Sequence, residues 1–125
     1  MVTVLKSGIF TTLQDCGRPA YGHLGVPVGG PMDSHSAELA NTILGNLSDC
    51  AVLECTFQGP ALHFSKSTSI AITGAILQPL LNGNPVPMFQ SIKIEGNDVL
   101  TFGKIVKGAR FYISIKDGFQ GDRIL

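Results

Sequence analysis

A chain of 125 residues accommodates one domain, and with 44% hydrophobic residues it can build a core without disulfides or a structural metal. Nine Lys and Arg balance nine Asp and Glu, leaving no basic field to hold a phosphate backbone and no run of like charge to form a polyionic tail. Nucleic-acid binding is therefore not expected.

Short β-branched runs separated by turn signals dominate the sequence, the pattern of an all-β barrel or sandwich. Val2 to Lys6 and Ile9 to Gln14 read as strands split by Ser7-Gly8. The first residues lack the charged start, apolar run and cleavage site of a secretory signal. Asp33 can cap a helix running to about Leu44, with Gly45 placed to end it. Leu39, Ala40, Ile43 and Leu44 are its expected apolar stripe, with Ser34, Glu38 and Asn41 pointing away. Ala51 to Phe57 and Ala61 to Phe64 follow as strands around Gln58-Gly59-Pro60. Thr68 to Thr73 alternates, with Ile70 and Ile72 on one face. Asn82-Gly83, between Leu80-Leu81 and Val86, is a type I′ hairpin signal because that turn needs positive φ at both central residues. Ser91 to Glu95 and Val99 to Phe102 suggest a second hairpin around Gly96-Asn97-Asp98, and Ala109 to Lys116 places Phe111, Ile113 and Ile115 on one face. The most apolar stretch, Ile70 to Leu81, is interrupted by Thr73, Gly74, Gln78 and Pro79 and is too short to span a bilayer. No membrane contact and a cytoplasmic location are expected.

Gln14 to Asp33, QDCGRPAYGHLGVPVGGPMD, breaks the pattern with five glycines and three prolines between a strand and a helix. Loops of this length with restricted backbone are often functional, although a structural loop is also consistent with the composition. Gly29-Gly30 precede the helix start, where unpaired N–H groups favour an anion, but no Gly-Lys-Ser/Thr follows and Asp33 opposes one. Arg18 can offer a bidentate fork to a carboxylate or acyl phosphate, or brace the loop. Asp33 is a candidate base or nitrogen-binding group as well as a cap; Tyr21 can orient an amide through its hydroxyl or be a half-buried ring. Gln14 suits amide recognition or pairs backbone, and His23 is the histidine placed for proton transfer, His35 and His63 reading as surface or packed residues. Glu54, flanked by Leu53 and Cys55, needs a partner if it faces inward. Cys16, Cys50 and Cys55 are odd in number without a C-x-x-C pair, which reads as thiols rather than a disulfide framework or zinc site. No metal site is expected.

The stretch TTLQDCGRPAYGHLGVPVGGPMD, from Thr11 to Asp33, resembles the signature of the biotin-dependent carboxyltransferase-like family. That family includes the 5-oxoprolinase C subunit, allophanate hydrolase subunit 2 and the KipA-type regulators. Leu39-Ala40-Asn41, Gly45-Asn46, Leu53-Glu54, Gly59-Pro60, Thr73-Gly74-Ala75, the Asn82-Gly83 turn and Gly108-Ala109-Arg110 with Tyr112 fit in order. Ala20 and Cys16 depart mildly from the usual pattern. The resemblance implies a mainly β, cyclophilin-like barrel with one main helix over about 33–45, residues 1–125 forming one such domain. It implies that this domain is the N-terminal half of a longer protein, and that the absent half or self-association covers an apolar face. It further implies action on an amide or ureido substrate within a hydrolase (ATP-dependent 5-oxoprolinase) or carboxyltransferase complex, the chain being inactive alone. Asp33, Arg18 and Tyr21 would be its catalytic residues, and Gln14, His23, Gly29, Gly30 and Glu54 its substrate-binding residues. No cofactor would be held covalently; ATP or carboxybiotin would come through partner subunits, one of them subunit-B-like (KipI-type). The alternative is a KipA-type regulator that binds an inhibitor of a sporulation histidine kinase without turnover.

Overall fold

The computed structural model describes residues 2–8, 11–14 and 32–119. Eight strands and one helix follow in the order β1 (Val2–Lys6), β2 (Thr11–Gln14), α1 (Ser34–Ile43), β3 (Val52–Thr56), β4 (Ala61–Phe64), β5 (Thr68–Leu81), β6 (Asn84–Pro85), β7 (Ile92–Ile94) and β8 (Val99–Ile115) among the described residues. All strand pairs are antiparallel and belong to one sheet. The fold is mainly β: a curled antiparallel sheet forming a half-barrel, with one helix, as expected.

The long strand β8 is the spine. One edge pairs with β4 near its start (Leu62 opposite Leu100) and with β3 near its end (Thr56 opposite Arg110). The other edge pairs with β5 from Ile70 to Leu81. Alternation sorts the side chains. Leu53, Ile72 and Ile113 lie in mutual register and join Leu62, Phe64, Ile70, Ile94, Leu100 and Phe111 in the concave core. Phe102 and Phe111 pack with ring centroids 4.9 Å apart. Gly59 leaves room for the Phe102 side chain, whose ring a Cβ there would meet at 2.5 Å.

The opposite face of β5 and β8 receives α1. Asp33 caps the helix, its Oδ1 accepting from Ser36 N–H at 3.0 Å. The helix ends in a Schellman motif: Asn46 N–H reaches Asn41 O at 2.9 Å, Gly45 N–H reaches Thr42 O at 3.0 Å, and Gly45 has φ +72°. Lys116 Nζ donates to Leu44 O at 3.0 Å, a cation on the carbonyl end. The expected stripe requires correction. Ala37, Ala40, Asn41 and Leu44 are the residues turned to the sheet, while Leu39 is exposed. Asn41 is fully buried because its amide has a complete set of partners: Nδ2 donates to Cys50 O at 2.9 Å and Oδ1 accepts from Asn46 Nδ2 at 3.1 Å.

The Asn82-Gly83 turn is as expected, with φ +52° and +83° and Leu81 opposite Asn84. One other expectation is overturned. Residues 91–95 and 99–102 do not pair as a hairpin: β7 joins β5 (Ser69 opposite Lys93), whereas the start of β8 joins β4 and β5. The turn between them exists, with Asn97 at φ +72° and Glu95 N–H on Asp98 Oδ2 at 2.8 Å, but the strands it connects diverge. The expected strands 68–73 and 109–116 are parts of the longer β5 and β8.

Candidate functional site

On the helix side of the sheet a polar row crosses four strands. Thr12 on β2 is opposite Glu54 on β3, Glu54 is opposite Tyr112 on β8, and Tyr112 is opposite Thr73 on β5. The alternation that sends Leu53, Cys55, Phe111 and Ile113 into the core turns Glu54 and Tyr112 the other way, toward the start of α1.

Both residues are buried, Tyr112 completely and Glu54 with 7% exposure, so each polar atom needs a partner. The Tyr112 hydroxyl donates to Glu54 Oε2 at 2.8 Å and accepts from Asp33 N–H at 2.9 Å. The same Oε2 accepts from Met32 N–H at 2.8 Å. Two consecutive backbone amides just before the helix are thus pinned to the sheet. Burial, followed by the hydrogen bond to Glu54, pushes the Tyr112 phenol above its usual range and keeps it a neutral donor. Thr73 completes the seat by donating Oγ1 to Ser36 O at 2.7 Å.

Above this row a cleft of about 520 Å³ opens between the helix start and the β5–β8 ribbon. Asp33, Ser36, Gly74, Lys107 and Arg110 are among the residues that line it. Gly74 has φ +99°, and a Cβ there would sit 2.7 Å from Arg110 O and 2.9 Å from Phe111 Cα. Only glycine allows β5 to approach β8 this closely. Asp33 has both carboxylate oxygens engaged by Ser36, Oδ2 accepting from the hydroxyl at 2.6 Å. The side-chain and then the backbone hydrogen bond from Ser36 hold its pKa below the ordinary value, which makes it an acceptor of hydrogen bonds more than of protons near neutral pH.

The sequence candidates fall into two groups. Asp33 and Glu54 come together through Tyr112. Gln14 is buried at the end of β2, opposite Val52, with Nε2 donating to Thr12 Oγ1 at 2.8 Å, so it joins the margin of the row where the chain leaves the sheet. Arg18, Tyr21, His23, Gly29 and Gly30 lie outside the described residues, as does Cys16. Cys55 is buried in the core, which pushes its thiol up to about 12, and Cys50 is half-buried. His35 is exposed and His63 half-buried. Sequence reasoning did not place Tyr112, Thr73, Lys107 or Arg110 at the site. For Tyr112 a signal was available: assigning Phe111, Ile113 and Ile115 to one face leaves its hydroxyl on the other. Among the described residues no group of three or more His, Cys, Asp or Glu could hold a metal ion, and no helix is long and apolar enough to cross a membrane.

Residues 24–125 match the family model described as "Carboxyltransferase domain, subdomain A and B". The chain is 40% identical over 118 residues to urea amidolyase of Lachancea kluyveri, covering 94% of this chain and 6% of that protein. It is 27% identical over 120 residues to the 5-oxoprolinase C subunit of Escherichia coli, covering 96% of this chain and 39% of that one. The crystal structure of the K. lactis urea amidolyase superposes with a TM-score of 0.84 at 39% identity, over 94% of this chain and 7% of that chain. The chain therefore spans well under half the length of these relatives.

Proposed function

The chain belongs to the family of the carboxyltransferase domain, subdomains A and B, and on that premise we propose that it forms one wall of a site for a planar amide or ureido group. A partner subunit or further domain, subunit-B-like in the 5-oxoprolinase setting, completes the site. The observation that carries this reading is the pinning of the Met32 and Asp33 amides onto Glu54 and Tyr112. It fixes the exit of the Gln14 to Asp33 segment beside a cleft lined by Lys107 and Arg110. Urea and 5-oxoproline, the compounds in the relatives' names, share an N–C=O group, which calls for a donor toward the oxygen and an acceptor toward the nitrogen.

In this reading Arg18 and Tyr21 contribute the donors from the glycine-rich segment, and Glu54 holds the segment in place. Asp33 offers the acceptor, its low basicity suiting it to orient an N–H rather than remove it. The cleft's two cations, Lys107 and Arg110, would complement the negative charge of a carboxylated ureido ring. Carboxybiotin, delivered by a partner, would supply the carboxyl group. ATP would likewise act through a partner subunit.

The test is reconstitution. Co-purified with a subunit-B-like partner, the chain should support hydrolysis of ATP that depends on 5-oxoproline, or carboxylation of urea with a biotin carboxylase partner. Full activity of the partners without this chain, or no activity with either partner set, overturns the reading.

A further inference from the structure

Resting on that reading, we propose that Arg110 is a specificity-determining residue whose guanidinium recognises a carboxylate carried by the amide or ureido substrate. The sheet carries a mismatch along β8. Between the two places where β8 meets its β3–β4 edge, that edge runs only from Thr56 to Leu62 while β8 runs from Leu100 to Arg110. The four surplus residues of β8 are taken up as bulges, and its pairing with β5 shifts register between Gly74 and Ile76, Ile76 and Leu77, and Leu77 and Pro79. Bulges re-aim side chains, and they are frequent beside active sites.

Here the bulge ends at Arg110. Gly108 takes φ +92°, and a Cβ there would meet Ala75 Cβ at 3.0 Å, so β8 carries a glycine-favoured backbone conformation just before the arginine. Gly74 packs against the Arg110 carbonyl from the facing strand. Arg110 is half-buried along the cleft wall, and among the described residues its guanidinium has no hydrogen-bond or ion-pair partner. Asp33, the carboxylate that lines the same cleft, has both oxygens on Ser36. A partly desolvated fork with no counter-charge among the described residues suits a planar anion, and a carboxylate matches it with two parallel N–H···O bonds. Lys107, on the bulge, adds positive potential at the mouth. The larger hollow of about 980 Å³ offers lysines and no guanidinium: Lys116 is engaged by the Leu44 carbonyl, Lys93 by Glu95, and Lys66 is solvent-exposed.

Two probes that differ only by the carboxylate test the assignment: 5-oxoproline and pyrrolidin-2-one, titrated into the chain co-purified with its subunit-B-like partner and followed by the chain's backbone amide shifts. Both should perturb amides around Asp33, Gly74 and Arg110. The carboxylate should tighten binding about tenfold, the lower end for a charge-assisted pair because the site is partly wet. Arg110→Gln should abolish that ratio without weakening the lactam, and Arg110→Lys should restore part of it. Equal affinities in the wild type, or an unchanged ratio in Arg110→Gln, overturn the proposal while leaving amide recognition standing. Binding of neither compound overturns both. Should Arg110→Gln unfold, the wild-type ratio measured from low to high NaCl decides: it must fall with salt while the lactam's affinity does not.

Discussion

Replacing Tyr112 by phenylalanine removes one oxygen and leaves two groups stranded: Asp33 N–H loses its acceptor and Glu54 Oε2 loses one of its two donors. The ring is fully buried and phenylalanine retains its packing, so the cost is polar. A hydrogen bond to a carboxylate is worth about 1.5–3 kcal/mol, and a stranded buried amide costs about 1–3 kcal/mol. Relaxation at the start of the helix offsets part of this, and the net loss should be about 2–4 kcal/mol. Against a typical total of about 5–15 kcal/mol this is a large fraction. It corresponds to a fall in Tm of roughly 8–15 °C for a domain of this size. Urea denaturation should show the midpoint falling with the slope unchanged, and the double variant Glu54→Gln/Tyr112→Phe should lose less than the sum of its parts. A loss below about 0.5 kcal/mol for Tyr112→Phe would refute the view that this hydroxyl pins the loop to the sheet.

Gly74→Ala should destabilise by about 2–4 kcal/mol, since the new methyl meets backbone at Arg110 and Phe111 and the residue is held at positive φ; thermal melts would show it, and a neutral effect would mean the two strands separate freely. Asp33→Ala should cost about 1 kcal/mol through the lost cap, and Asp33→Asn only a few tenths, both read from urea midpoints at pH 7. Stability should also fall at high pH: the folded-state pKa values of Cys55 and Tyr112 lie above their unfolded ones, so their contribution is complete below about pH 9 and is lost as pH rises toward about 12. Denaturation midpoints at pH 8, 10 and 11 would show the decline, and Cys55→Ala should remove part of it.

The helix was legible because its ends are chemical: an aspartate whose oxygen reaches the third amide, and a glycine at positive φ. Its buried face was less so, because periodicity counts apolar residues and Asn41 enters the interior through three well-placed partners. The spine strands were cut short for a related reason. Gly74 follows the expected strand 68–73 and Gly108 precedes the expected strand 109–116, yet in a bulged ribbon they are what lets two strands approach and bend. The separation of 91–95 from 99–102 could not be read from their turn, since a turn specifies reversal and the partners β4 and β5 are chosen by burial on the far side of the sheet.

The site follows the same division. Glu54 could be singled out because a carboxylate between Leu53 and Cys55 must be offset by partners, but those partners are Tyr112, far along the chain, and an amide at Met32. Their meeting is a property of the sheet register rather than of any local motif. The register puts the polar row under the helix start and ends the bulge at Arg110, so stability and recognition share one set of strands. Loosening β5 against β8 should therefore disturb both. This can be checked within one variant: if Gly74→Ala lowers Tm, the tenfold advantage of 5-oxoproline over pyrrolidin-2-one should shrink with it. A destabilised Gly74→Ala protein that kept the full advantage would show that Arg110 is placed by its own strand, without help from the close contact with β5.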